Sequence, residues 1–131
     1  MATILLVDDD DRFRAMLSEV LMLAGYKVQE AFDGQHAIRL YRSHPTDLVI
    51  TDLVMPEKEG LEMILELKRL YPAVKIIAIS GGRRQGGQDY LTLAGALGAQ
   101  RVLAKPFSHR EILEAVSQVL QGSNVSFTTM T

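Results

Sequence analysis

The chain contains no cysteine, only 4 prolines in 131 residues, and no long hydrophobic run. Without cysteine there is no disulfide, no thiolate metal site and no thiol nucleophile, which sits with a reducing compartment. A membrane span needs about 18 consecutive apolar residues, and no segment approaches that. Met1-Ala2-Thr3 leads directly into the short apolar run Ile4 to Val7, with neither a basic start nor a long apolar core, so it reads as a buried strand rather than a signal peptide. A cytoplasmic location without membrane attachment is expected. The 14 basic and 16 acidic side chains leave a formal net charge of -2, with no basic patch of the kind that binds nucleic acid directly. What remains is an ordinary globular composition, 47% hydrophobic, of a size that supports one core.

Hydrophobic periodicity divides the chain into alternating strands and helices. Ile4 to Val7 is a continuous apolar run ending in four aspartates, as expected of a strand covered on both faces. Phe13, Met16, Leu17, Val20, Leu21 and Ala24 then recur at helical spacing, and Gly25 stands where a left-handed cap falls. Phe13 and the methionines are read as core. Tyr26 to Ala31 is a weaker strand, placed at a sheet edge. Asp33 is suited to cap a second helix bearing Ala37, Ile38 and Tyr41, and Leu48 to Thr51 is a third strand ending at Asp52. A loop from Leu53 to Gly60 precedes a helix that stops at Pro72. Val74 to Ile79 is a fourth strand running into Ser80-Gly81-Gly82. A glycine-rich loop through Gly87 and a fourth helix bearing Tyr90, Leu91, Ala94 and Leu97 follow. Val102 to Ala104 is a fifth strand, and Ser108 with Glu111 forms a capping box on a fifth helix. Residues 1–121 are expected as one domain and 122–131 as a polar, disordered tail.

Five strands alternating with five helices require a parallel sheet with helices on both faces, because parallel neighbours need crossover connections and these are right-handed. Ligands of such sheets bind beyond the carboxyl ends of the strands. Those ends carry Asp8 and Asp9, then Asp52, Ser80 and Lys105. Each alone has an ordinary structural explanation as a cap, a turn residue or a solvated lysine. Together, three carboxylates on one edge repel one another, and a hydrated hard cation offsets this while leaving all three ionised. Magnesium suits the site best because it accepts few protein oxygens and keeps positions for water and phosphate. A carboxylate there, with a hydroxyl and an ammonium facing it, has the parts for phosphoryl transfer: Asp52 as nucleophile, Lys105 and Ser80 on the phosphoryl oxygens.

In the runs Ile4-Leu5-Leu6-Val7-Asp8-Asp9, Asp47 to Pro56, Ile79-Ser80 and Lys105-Pro106-Phe107, the chain resembles a response-regulator receiver domain of two-component signalling, over roughly Thr3 to Leu120. It is similar to the chemotaxis response regulator in consisting of a receiver alone. The resemblance implies a flavodoxin-like strand order 2-1-3-4-5 and Asp52 as phosphoacceptor, supplied by a histidine kinase or phosphotransfer protein. It implies Mg2+, or Mn2+ in its place, on Asp9 directly, on Asp8 mainly through water, on Asp52 and on the backbone carbonyl of Val54. It also implies a cis Lys105-Pro106 bond, and output to an unknown partner through the fourth helix, fifth strand and fifth helix. Asp10 and Asp11 match no family role and read as favourable charges at a helix N-terminus. On this reading the protein is not an enzyme beyond catalysing its own phosphorylation and dephosphorylation.

The chain departs from the family pattern in three places. Val102 stands where many receivers carry an aromatic residue that rotates behind the hydroxyl. The segment Gly81 to Gly87 lengthens the interval before Lys105. Val54 and Gly82 offer no side chain to hold an attacking water, so slow self-dephosphorylation is expected. His36, His44 and His109 share no metal spacing and read as surface residues. Two rivals are a docking module that is never phosphorylated and a metal-dependent phosphatase. Against the second, the position two residues after Asp52 carries Val54 rather than an acid.

Overall fold

A computed structural model describes residues 1–53, 59–81, 92 and 94–122. Its elements run β1 (Thr3–Val7), α1 (Asp11–Leu23), β2 (Lys27–Ala31), α2 (Gly34–Ser43), β3 (Leu48–Asp52), α3 (Glu59–Leu70), β4 (Ile76–Gly81), β5 (Arg101–Lys105) and α4 (His109–Leu120). Residues 94–96 are helical and belong to the fourth predicted helix, so α4 is the fifth predicted one. Val54, the segment 82–87, Tyr90, Leu91 and the tail 123–131 lie outside the described residues.

The strands form one parallel sheet in the order β2-β1-β3-β4-β5. β3 is buried throughout and β1 nearly so, which is why both read as unbroken apolar runs. β2 is an edge strand with only Ala31 fully buried, as its weaker pattern predicts. Alternation along the strands divides the core into two layers. Ile4, Leu6, Leu48, Ile50, Ile77 and Ile79 pack with Leu17 and Leu21 of α1 and with Ile112, Val116 and Val119 of α4. On the other face Leu5, Val7, Val49, Ile76 and Ala78 pack with Ala37 and Tyr41 of α2 and Ile64 and Leu67 of α3. Each fully buried valine, leucine or isoleucine among them contributes about 1.5–3 kcal/mol.

The helix ends follow their capping residues. Asp10 caps α1 by accepting from the amides of Arg12 and Phe13, and Asp33 caps α2 through the amide of His36. Ser108 and Glu111 form the reciprocal box on α4. Gly25 follows α1 at φ 101°, a conformation an L side chain rarely adopts.

Some boundaries and burials differ from the sequence reading. β4 begins at Ile76 rather than Val74 and runs through Ser80 and Gly81, which pair with Ala104 and Lys105 of β5. The ladder overrides the weak strand preference of glycine. α3 begins at Glu59, so Gly60 is helical rather than part of the loop. Met63 is buried, but Met1, Met16 and Met22 are exposed, which corrects their assignment to the core. In α1 the buried stripe is confined to Leu17, Ser18 and Leu21, and Met16 and Met22 flank it.

Candidate functional site

Three strands carry charged side chains out of the same core layer. In β1 the row Ile4, Leu6 continues to Asp8; in β3 Leu48, Ile50 continues to Asp52; in β5 Leu103 continues to Lys105. Asp8, Asp9 and Asp52 each place a carboxylate oxygen so that all lie within 4.8 Å of one another. Among the described residues this is the one group of acidic or histidine side chains able to converge on a metal ion. Asp8 and Asp52 are buried, whereas Asp9 is exposed. The Lys105 ammonium faces the group, 3.6 Å from Asp52 Oδ2 and 3.9 Å from Asp8 Oδ2.

Electrostatics make this arrangement costly by itself. Two buried carboxylates at such a separation repel by about 3–4 kcal/mol at an effective dielectric near 20. Three carboxylates against one ammonium leave two negative charges when all are ionised. Burial accordingly pushes the Asp8 carboxyl up to about 6. The hydrogen bond from the Asp10 amide opposes this, Asp52 adds to it, Lys105 opposes it and Asp9 adds again. A divalent cation matches both the residual charge and the donor set of hard oxygens.

Ser80 occupies the other row of β4, after Ile76 and Ala78, and one residue past the Asp52↔Ile79 pairing. Its hydroxyl is fully buried, with no hydrogen-bond partner among the described residues. Such orphaned groups are uncommon and ask for an explanation. The Lys105-Pro106 bond is cis, as the resemblance implies. Val102 packs, half-buried, against the layer that contains Ala78, as an ordinary strand residue. Asp10 is occupied as the α1 cap rather than gathered with the acidic group. His44 and His109 are exposed, and His36 is half-buried with its Nδ1 accepting from the Phe32 amide at 3.3 Å.

Three contributors escaped the sequence reading. The Phe13 ring, read as core, lies beneath the Lys105 ammonium at 3.9 Å from ring centroid to Nζ, and Phe107 meets that ring edge-on at 6.1 Å. Arg14 donates to the Asp8 carbonyl at 2.6 Å. Gly60 allows the first turn of α3 to press on β3: a Cβ there would sit 2.5 Å from the Asp52 carbonyl oxygen. Only the Arg14 to Asp11 pairing, three residues apart on one helix, left a trace in the sequence.

The fold and the site define a class, a flavodoxin-like α/β domain whose acidic pocket lies where strand order reverses between β1 and β3. The chain belongs to the response regulator receiver domain family, whose model matches residues 4–117. It is 36% identical over 121 residues to protein CcdB of Bacillus subtilis, covering 92% of this chain and 98% of that one. It is 35% identical over 117 residues to the chemotaxis protein CheY of Thermotoga maritima, covering 88% and 95%. A response regulator receiver domain protein from Clostridium thermocellum superposes with a TM-score of 0.86 at 26% identity, covering 95% and 98%. Receiver domains are signalling modules of two-component systems rather than classical enzymes, and they interact with histidine kinases and output domains. Among the described residues no helix is long and apolar enough to cross a membrane.

Proposed function

We propose that this receiver is switched by phosphorylation of Asp52, with a histidine kinase or a phosphotransfer protein as donor. The observation that carries this reading is the convergence of Asp8, Asp9 and Asp52 within 4.8 Å, faced by Lys105 and backed by the unpartnered hydroxyl of Ser80. An Asp52 carboxylate oxygen attacks the phosphorus of a phosphohistidine, the P–N bond breaks as the P–O bond forms, and the freed imidazole takes up a proton. Lys105 neutralises a phosphoryl oxygen, and Ser80 turns its hydroxyl from the opposite row to donate to another. That turn gives the buried hydroxyl its partner only in the phosphorylated state.

Asp8, Asp9 and Asp52, with the Val54 carbonyl, would hold Mg2+ or Mn2+. When bound, the cation supplies charge neutralisation for the transferring phosphoryl group. The chain's own residues position the nucleophile and exclude water from the Asp8 side. Output passes to a partner protein through the fourth predicted helix, β5 and α4.

Incubation with acetyl phosphate and Mg2+, followed by intact mass measurement, tests the assignment. One phosphoryl group should add to the wild type and none to Asp52→Asn. An adduct on Asp52→Asn would move the site elsewhere, and no adduct on the wild type would favour an unphosphorylated docking module.

A further inference from the structure

β1 ends at Val7, and just where the acidic pair begins the Asp8 carbonyl accepts from a side chain, that of Arg14. Its Nη1 donates to the Asp8 carbonyl at 2.6 Å, its Nη2 to Asp11 Oδ1 at 2.8 Å and its Nε to Glu30 Oε1 at 2.9 Å. Burial works against the Arg14 charge, but the hydrogen bonds to Glu30 and Asp11 outweigh it and raise its pKa above the ordinary arginine value. The Asp8 amide meanwhile donates to the Ala31 carbonyl at 3.1 Å, and Asp8 Oδ1 accepts from the Asp10 amide at 2.8 Å.

We propose that Arg14 is a positioning residue for the cation site, acting by gripping the Asp8–Asp9 peptide from which two of the three converging carboxylates hang. The proposal rests on the reading of that acidic group as a cation site. The gripped carbonyl belongs to the peptide that leads into Asp9, the exposed member of the group. Asp9 has little packing of its own to hold it, so the plane of this peptide sets where its carboxylate points. The planar guanidinium donates along three directions, here to a loop, to α1 and to β2, which a lysine cannot reproduce. With Asp11 and Glu30 both against it, the guanidinium charge is already answered. Its influence on a bound cation is therefore geometric rather than repulsive.

Isothermal titration calorimetry with Mg2+, on proteins shown to be folded by circular dichroism, tests this. Arg14→Met keeps much of the aliphatic volume and removes the fork, and its Kd should rise about tenfold or more, as for other groups that orient metal ligands. Arg14→Lys should fall between the two. A folded Arg14→Met variant with the wild-type Kd would overturn the proposal. Should Arg14→Met not fold, Arg14→Lys decides, because it keeps the charge and loses the planar fork: a Kd raised about threefold or more supports the grip, and a smaller change overturns it. Failure of the wild type itself to bind Mg2+ would remove the cation reading and the proposal with it, a result distinct from equal binding by wild type and variant.

Discussion

Asp8 keeps only 1% of its surface in contact with water, and the amide hydrogen bond it accepts does not offset that loss. Its carboxyl has an ordinary value of 3.8 and is raised to about 6 in the fold. Between these values the unfolded chain has released a proton that the folded protein still holds, so metal-free stability falls as pH rises from about 4 to about 6 and then levels off. Urea denaturation in a chelator across that range should show the decline in the wild type and a shallower one in Asp8→Asn. Parallel curves would show that Asp8 is not the group responsible. Lys105 illustrates the same economy of charge. One ammonium serves two carboxylates at 3.6 and 3.9 Å and rests on the Phe13 ring, so it stays near the pocket without neutralising it.

At the scale of elements, the site depends on how closely α3 approaches β3. Gly60 makes this contact, since an added Cβ would also lie 2.8 Å from Leu53 Cα, and neither backbone atom is able to swing aside. In an exposed helix interior a glycine to alanine change gains about 1 kcal/mol. Here overpacking of about 1–3 kcal/mol opposes that gain, so Gly60→Ala should be destabilised in urea and should also displace the Asp52 carbonyl. A Gly60→Ala protein more stable than wild type would refute the contact. The same region shows why α3 begins two residues before the start its sequence suggests: Gly60 resembles loop punctuation, and only packing against β3 explains a glycine inside a helix.

For the whole molecule, the acidic edge exchanges stability for the capacity to bind. A cation that binds only the folded state stabilises it by RT ln(1 + [L]/Kd), about 2.7 kcal/mol at 100-fold excess over Kd. Mg2+ should therefore raise the melting temperature of the wild type and raise that of Asp52→Asn less, because the variant has lost one ligand and part of the repulsion. Thermal denaturation with Mg2+ and with a chelator measures the difference. An equal shift in both proteins would place the bound cation away from Asp52.

The sequence by itself determined the alternation of strands and helices, the α2 and α4 caps at Asp33 and Ser108, and the set of Asp8, Asp9, Asp52, Ser80 and Lys105 at strand ends. These depend on local periodicity and on capping chemistry, which act over a few residues and so leave a local trace. Only the tertiary structure decided that Ser80 belongs to the opposite row from Asp52, that Arg14 reaches Glu30 across sixteen residues, and that Phe13, packed at the border of the core, also lies beneath Lys105. Each of these depends on strand register and on helix placement over the sheet. A one-residue change of register would reverse which face a side chain occupies, and in strands buried on both faces, as β3 and β4 are, the hydrophobic pattern does not mark that choice.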